Sequence, residues 1–549
     1  MNPYPSASVA YNRLQQVFCL NWLSNVAGEK IGSAATLTKF ANAAVTGTLG
    51  DKTVQGLIGT WNLVWGPVVV EPTSGPFTQV AANTMFVVSQ PGENGGIVYV
   101  VAIAGTNPIS PFGWVVEDFD VSATVPWGTV LNNSAVVSDP AAVVSKGTAT
   151  GIGQLVNNMT SACTLPGFSG NSNVTIQQCL AAAVTNAPAG GPLEVIFTGH
   201  SLGGALSATL ALYFADQQGT AYWDPNFKAI VSALPSAGAT PGNTTFAEHY
   251  DAVLGSRTNR LWNGLDVIPH AWETDLLQQV PGLYFPYFSP NPALIGLVAA
   301  TIADASSAAT YQQINRQTPP LPGQVMISQL TTSASAQDTE NALIATLVAD
   351  VLAVSAHMSG AEQAALQKLL VAVLGALEQF GYLNLQSLST PQLGGTSETS
   401  DWSTVQSWLS NLETDIEQDV EAAWSDIQQA VAKLGSGAAT LLSNLMALLK
   451  TDLQNLQQAL QADLKSLLQF LAALFQNVWD FLNSLVQTGK VAWADIQSQL
   501  PGVLTFLGQL GVQHVPAYAQ LLGVSAYTAR QKAIRATLPF LPSTNIQGG

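Results

Sequence analysis

A chain of 549 residues is long for one domain and points to two or three. Only 9% of its residues are charged and its mean hydropathy is +0.25, so apolar surface must be hidden inside or must meet an apolar phase. A net charge of −17 excludes a nucleic-acid partner, because nothing here would neutralise a row of phosphates; it also disfavours strongly anionic membranes, while neutral lipid or oil stays open.

In chain order, the opening Met1-Asn2-Pro3-Tyr4-Pro5-Ser6 shows neither the basic nor the apolar stretch of a secretory signal. The next 270 or so residues alternate between strand-like and helix-like segments, with strands predicted at 83–89, 97–104, 193–198, 228–234 and 259–262. That alternation predicts a mostly parallel sheet covered on both faces. Cys163 and Cys179 flank a loop rich in Gly, Asn and Ser; a disulfide and two free thiols are both open, and Cys19 reads as a small core residue. Beyond residue 290 the chain turns rich in Ala, Leu and Gln, broken at Pro319-Pro320-Leu321-Pro322 and again at 387–401.

An eleven-residue repeat follows, in the windows 440–450, 451–461, 462–472 and 473–483. Leu442, Leu445 and Leu449 occupy its apolar positions in the first window, and Phe475, Val478 and Leu482 in the last. Such spacing keeps one apolar stripe on one side of a long helix, suited to a packed bundle or to an amphipathic arm that opens onto lipid. No stretch is long and apolar enough to predict a membrane span, since 343–356 is short and carries Asp350.

The chemistry-bearing motif is Gly199-His200-Ser201-Leu202-Gly203-Gly204, between the apolar run 193–198 and the strong helix former 205–212. G-x-S-x-G alone is common, so its context decides: a strand, this motif and a helix together make a nucleophile elbow. A serine nucleophile needs a base and a group to orient it, and this fold supplies them in the order Ser, acid, His. Five histidines are available. His200 adjoins the serine and would not point at its hydroxyl, and His357 lies in a helical segment. His270, four residues past Asp266, would have to fold back, and His249 fits less well. His514 lies in a loop-like stretch after the helical region and fits as the base, with Asp266, after a predicted strand, as the acid. No His, Asp and Cys cluster has metal-ligand spacing, and no cofactor is implied.

Four separated blocks now resemble the class 3 lipases: Val100-Val101-Ala102-Ile103-Ala104-Gly105-Thr106-Asn107; residues 197–205; Ser232-Ala233-Leu234-Pro235 through Phe246 to Asp266-Val267-Ile268-Pro269; and His514 with Tyr518 and Leu521-Leu522. The resemblance implies an α/β-hydrolase with Ser201 as nucleophile, Asp266 as acid and His514 as base. Thr106 and the backbone N–H of Leu202 would then bind the oxyanion. Phe112, Trp114, Val115 and Phe119 take the place of a lid in contact with substrate. Ala104 departs from the arginine usual before Gly-Thr, and about 250 residues separate acid from base, far more than is usual in the family.

The expected organisation is a hydrolase core over 1–324 and 501–549, with a large all-α insertion at 325–500 between the triad Asp and His. The expected activity is hydrolysis of acylglycerols through an acyl-enzyme, with interfacial activation and peripheral contact with a membrane or lipid droplet. A phospholipase A1, a short-chain esterase and a non-catalytic lipid-surface-binding protein are the alternatives. The resemblance favours secretion.

Overall fold

Short apolar runs rich in β-branched residues fall at 97–103, 193–200 and 229–236, and in the computed structural model each is a strand of one five-stranded sheet. The structure describes residues 9–28, 30, 32–71, 81–105, 120–136, 138–168, 172–287, 292–325 and 509–538. The insertion expected at 325–500, with its repeats and His357, lies outside the described residues apart from residue 325.

The strands are β1 (Asn62–Val70), β2 (Asn83–Pro91), β3 (Ile97–Ile103), β4 (Leu193–His200) and β5 (Ala229–Ser236), and they lie side by side in chain order. The sheet is mixed rather than mostly parallel: β1–β2 and β2–β3 are antiparallel, β3–β4 and β4–β5 parallel. Only a short turn at 92–96 joins β2 to β3, and a parallel pair needs a crossover of a dozen or more residues. Strand β1 was not predicted because Gly66-Pro67 interrupts its apolar run. It tolerates them as an edge strand whose register shifts between Trp65 and Val68. The predicted strand at 259–262 is reduced to isolated parallel bridges, Ala233 to Thr258 and Ser236 to Leu261.

Alternation along β3 shows how the sheet is covered. Tyr99, Val101 and Ile103 join a core with Val195 and Phe197 of β4 and with Leu206, Leu210 and Phe214 of α6 (Leu202–Asp216). Val98, Val100 and Ala102 are buried on the opposite face, on the side of α1 (Arg13–Ser24). Helices α4 (Lys146–Gly153), α5 (Ile176–Thr185) and α7 (Thr244–Leu254) complete the α6 side. Helix α6 is buried from Gly203 to Ala215, as its apolar residues on every side require. Cys163 and Cys179 form a disulfide with Cα atoms 6.0 Å apart, and Cys19 is a buried free thiol.

Residues 509–538 return to this same unit. After helix α8 (509–514) come α9 (Pro516–Leu521) and α10 (Ser525–Ala536). Helix α10 docks on α1, α2 (Ala34–Gly50) and α3 (Lys52–Ile58). Gln15 Nε2 donates to the Leu522 carbonyl at 2.8 Å, and Arg530 pairs with Asp51 at 2.6 Å.

Glycines decide how closely α6 lies on the sheet. A Cβ on Gly203 would strike the Ile103 carbonyl and sit 2.7 Å from the Ala104 backbone, whereas one on Gly56, exposed in α3, meets nothing within 4 Å. Gly203→Ala is expected to cost about 3 kcal/mol or more of stability, and Gly56→Ala to add up to about 1 kcal/mol. Urea unfolding midpoints of the two variants check both signs.

Candidate active site

The C-terminal ends of the three parallel strands meet at one edge of the sheet. Register places Ile103 beside Gly199 and His200 beside Ser236, so the chain leaves β3 at Ala104-Gly105 directly against the turn at Ser201. That turn has no room: a Cβ on Gly199 would strike the Gly203 carbonyl, one on Gly204 the Ser236 carbonyl, and one on Gly105 would lie 2.7 Å from the His200 carbonyl. Ser201 itself has φ 60° and ψ −125°, a conformation costly for any residue with a Cβ. Its N–H donates to the Ser236 carbonyl at 3.0 Å, and its carbonyl accepts from the Gly204 and Ala205 N–H groups, which starts α6. Leu202 is the first residue of that helix, which offers its N–H no partner.

Asp266, fully buried, sits in the loop after the residues that bridge β5. Four hydrogen bonds compensate its carboxylate. Oδ1 accepts the Ile268 N–H at 3.0 Å, Oδ2 accepts the Tyr518 hydroxyl at 2.9 Å, and His514 Nδ1 lies 3.1 and 2.9 Å from the two oxygens. With Nδ1 donating to the carboxylate, neutral His514 has Nε2 as its acceptor nitrogen. Ser201 Oγ and His514 Nε2 are both buried, and neither has a hydrogen-bond partner among the described residues.

The segments that carry Asp266 and His514, 248 residues apart, are stitched together beyond the carboxylate. Asn263 Nδ2 donates to the Gln513 carbonyl at 3.0 Å and to its Oε1 at 2.8 Å, and the Asn263 N–H donates to the Tyr518 hydroxyl at 2.9 Å. Gln513 Nε2 in turn donates to the Gln324 carbonyl at 2.6 Å. His514 closes a helical stretch instead of lying in a loop. Pro516 starts a new helix behind it, and the single residue Val515 makes the bend.

The structure pairs His514 with Asp266 and sets the His514 carbonyl 2.7 Å from the ring of His200, the residue before Ser201, while Ser201 and Leu202 form the turn and the start of α6. Thr106, Phe112, Trp114, Val115 and Phe119 lie outside the described residues. The other histidines have different work. His270 Nδ1 donates to the Asp266 backbone carbonyl at 2.7 Å, and His249 pairs with Asp216 at 2.9 Å. Sequence reasoning missed Asn263, Gln513, Asn21 of α1 and Asn25, which caps that helix. Asn25 Oδ1 accepts the Gly105 N–H at 3.1 Å, and Asn21 Nδ2 donates to Ser236 Oγ at 2.8 Å. Nothing local singles them out, because the same helix also carries Arg13, Gln15, Gln16 and Ser24. Among the described residues, no group of three or more His, Cys, Asp or Glu converges as metal ligands would.

His200 is buried beside Asn21 and Ser236. Burial, reinforced by the nearby His514, pulls its pKa down to about 3. The unfolded chain, with histidine near ~6.5, binds a proton there that the native state refuses. The stabilising effect of neutral His200 is thus complete above pH 6.5 and is lost as pH falls from about 6.5 towards 3. Stability is expected to drop over this window by up to about 1.4 kcal/mol per pH unit from this residue, a slope that His200→Gln removes. Urea titrations of both proteins from pH 7 to 4 measure the difference; equal slopes would sink the assignment.

Comparison with known proteins follows the same residues. The family model described as Lipase (class 3) matches residues 100–275. Among solved structures, M37 lipase is 30% identical, with 58% of this chain and 86% of that chain covered and a TM-score of 0.47. Lipase II from Rhizopus niveus is 17% identical over 49% of this chain and 78% of its own, with a TM-score of 0.31. A triacylglycerol lipase from Penicillium expansum is 20% identical over 44% and 76%, with a TM-score of 0.25. No curated protein matches. The shared sequence and the elbow lead to one assignment: this chain belongs to the class 3 lipase family, a lipase-type hydrolase of the α/β-hydrolase fold for which an ester is the implied substrate.

Proposed function

We propose that the protein is a serine carboxylic ester hydrolase acting on acylglycerols through Ser201, His514 and Asp266. The observation that carries this reading is the pair of buried, unpartnered atoms Ser201 Oγ and His514 Nε2, set at a strained elbow with His514 Nδ1 held by Asp266. His514 Nε2 takes the Ser201 proton as Oγ attacks the ester carbonyl. Negative charge then gathers on the carbonyl oxygen, where the Leu202 N–H at the positive end of α6, with Thr106, stabilises it. Collapse expels the alcohol, which receives the proton back from His514, and leaves an acyl group on Ser201. Water, deprotonated by the same nitrogen, releases the fatty acid. Asp266 stays ionised throughout and holds the imidazole in the required tautomer.

In this reading the hydrolase core is formed by 1–324 and 501–549, the insertion is 325–500, and Phe112, Trp114, Val115 and Phe119 cover the site until lipid is met. The family resemblance and the low charge of the chain support an oil–water interface as the working surface. Among the described residues, no helix is long and apolar enough to cross a membrane.

The test is the initial rate on tributyrin across its solubility limit. A steep rise above the limit, absent in Ser201→Ala, is expected. Smooth saturation below the limit would make this a soluble esterase, and turnover of a dispersed phospholipid alone a phospholipase A1. A Ser201-directed fluorophosphonate is expected to label the wild type, and Asp266→Asn to slow that labelling by about 10³-fold or more. No labelling of the wild type would leave lipid-surface binding as the function.

A further inference from the structure

The elbow holds a second histidine that the proposed chemistry leaves without a role. His200 Nε2 lies 2.7 Å from the backbone carbonyl of His514. A carbonyl only accepts, so Nε2 carries the hydrogen, and Nδ1 of the neutral ring is an acceptor. Nδ1 lies 3.0 Å from Ser236 Oγ, whose hydroxyl therefore points towards it. Ser236 Oγ in turn accepts Asn21 Nδ2–H at 2.8 Å. Every donor in this buried series points one way, from Asn21 on α1 through Ser236 on β5 and His200 on β4 to the carbonyl of His514. The rings of His200 and His514 are 4.9 Å apart, and Tyr518 of α9 and Trp22 of α1 close round His200.

This series matters because the chain cannot hold His514 in place. A connection of 248 residues from Asp266 imposes almost no positional restraint, so non-covalent contacts must set where Nε2 points. Asp266 fixes the ring through Nδ1. Asn263 holds the preceding carbonyl, that of Gln513, and the His200 bond holds the carbonyl of His514 itself, so the backbone is fixed on both sides of the ring. We infer that His200 is a positioning residue for His514, oriented by Ser236 and Asn21, so that helix α1 forms part of the catalytic apparatus. The inference rests on the Ser201–His514–Asp266 reading given above. Burial keeps His200 in the neutral tautomer that this role needs. If it took up a proton, Nδ1–H would donate to Ser236, whose hydroxyl would turn to the Gly199 carbonyl at 3.2 Å.

Inactivation of Ser201 by a fluorophosphonate, resolved into KI and kinact on the folded full-length protein, tests this. His200→Ala is expected to lower kinact by about 10²-fold at unchanged KI, the scale of a misplaced catalytic group. His200→Gln, whose amide N–H reaches the same carbonyl, is expected to recover most of that loss. Ser236→Ala, close to isosteric and therefore fold-preserving, is expected to lower kinact about tenfold, the effect of one hydrogen bond. A purely structural role would lower stability and spare kinact. Wild-type kinact in folded His200→Ala, or no gain from Gln over Ala, overturns the inference. Should His200→Ala fail to fold, Ser236→Ala decides alone, and a wild-type kinact there also overturns it. Absence of labelling in the wild type would instead overturn the Ser201 reading, and this inference with it.

Discussion

The close approach of backbone at Ser201 is the constraint on which the rest of the structure depends. A residue with a Cβ holds φ 60° there only because Gly199, Gly203 and Gly204 let β3, β4, α6 and the end of β5 come within backbone contact of one another. The strain has to be outweighed elsewhere, and α6 supplies the means. It is buried on all sides and packs on the strongest part of the core, so its N-terminus has one position relative to the sheet. The same approach explains why the chain leaves β3 as Gly105, which has to pass beside the His200 carbonyl.

What the elbow does not supply is the histidine that meets Asp266. His514 comes from the far end of the chain and is held by a set of polar groups that are almost all buried: Asp266, Tyr518, Asn263, Gln513 and His200. Buried polar groups are costly unless satisfied, and here each satisfies another, so the network tolerates one arrangement of the segment. Docking of α10 on the N-terminal helices, with the Gln15 bond to Leu522 at the end of α9 and the Arg530 pair with Asp51, anchors the segment that carries this network. Helices α1 to α3 precede the region matched by the family model, yet α1 and its capping residue reach both the end of β3, through Asn25, and the neighbourhood of His514, through Asn21. The site is thus enclosed by chain from three separate parts of the sequence.

Much of this was legible without coordinates. Strand, elbow and helix were readable at 193–216 because local backbone demands dictated local residue types, and the order Ser, Asp, His was readable because the fold imposes it. Other features were not. Strand β1 hid behind Gly66-Pro67, since a proline in an apolar run reads as a breaker until its place at a sheet edge is known. The sheet was read as mostly parallel because alternation of element types does not reveal that the short turn after Pro91 makes a hairpin. His514 was read as a loop residue because Pro516 looks like the end of a helix, when it also begins one.

By itself, then, the sequence determined the elbow and the family, because both depend on neighbours along the chain. Tertiary structure alone decided what holds His514 against Asp266 and the pairing of Cys163 with Cys179. These depend on distances between segments separated by 16 to 507 residues, and no local propensity records such distances. Asn21, Asn25, Asn263 and Gln513 illustrate the difference. An amide side chain reads as ordinary in sequence, and only the buried partner that it satisfies gives it a part in the site.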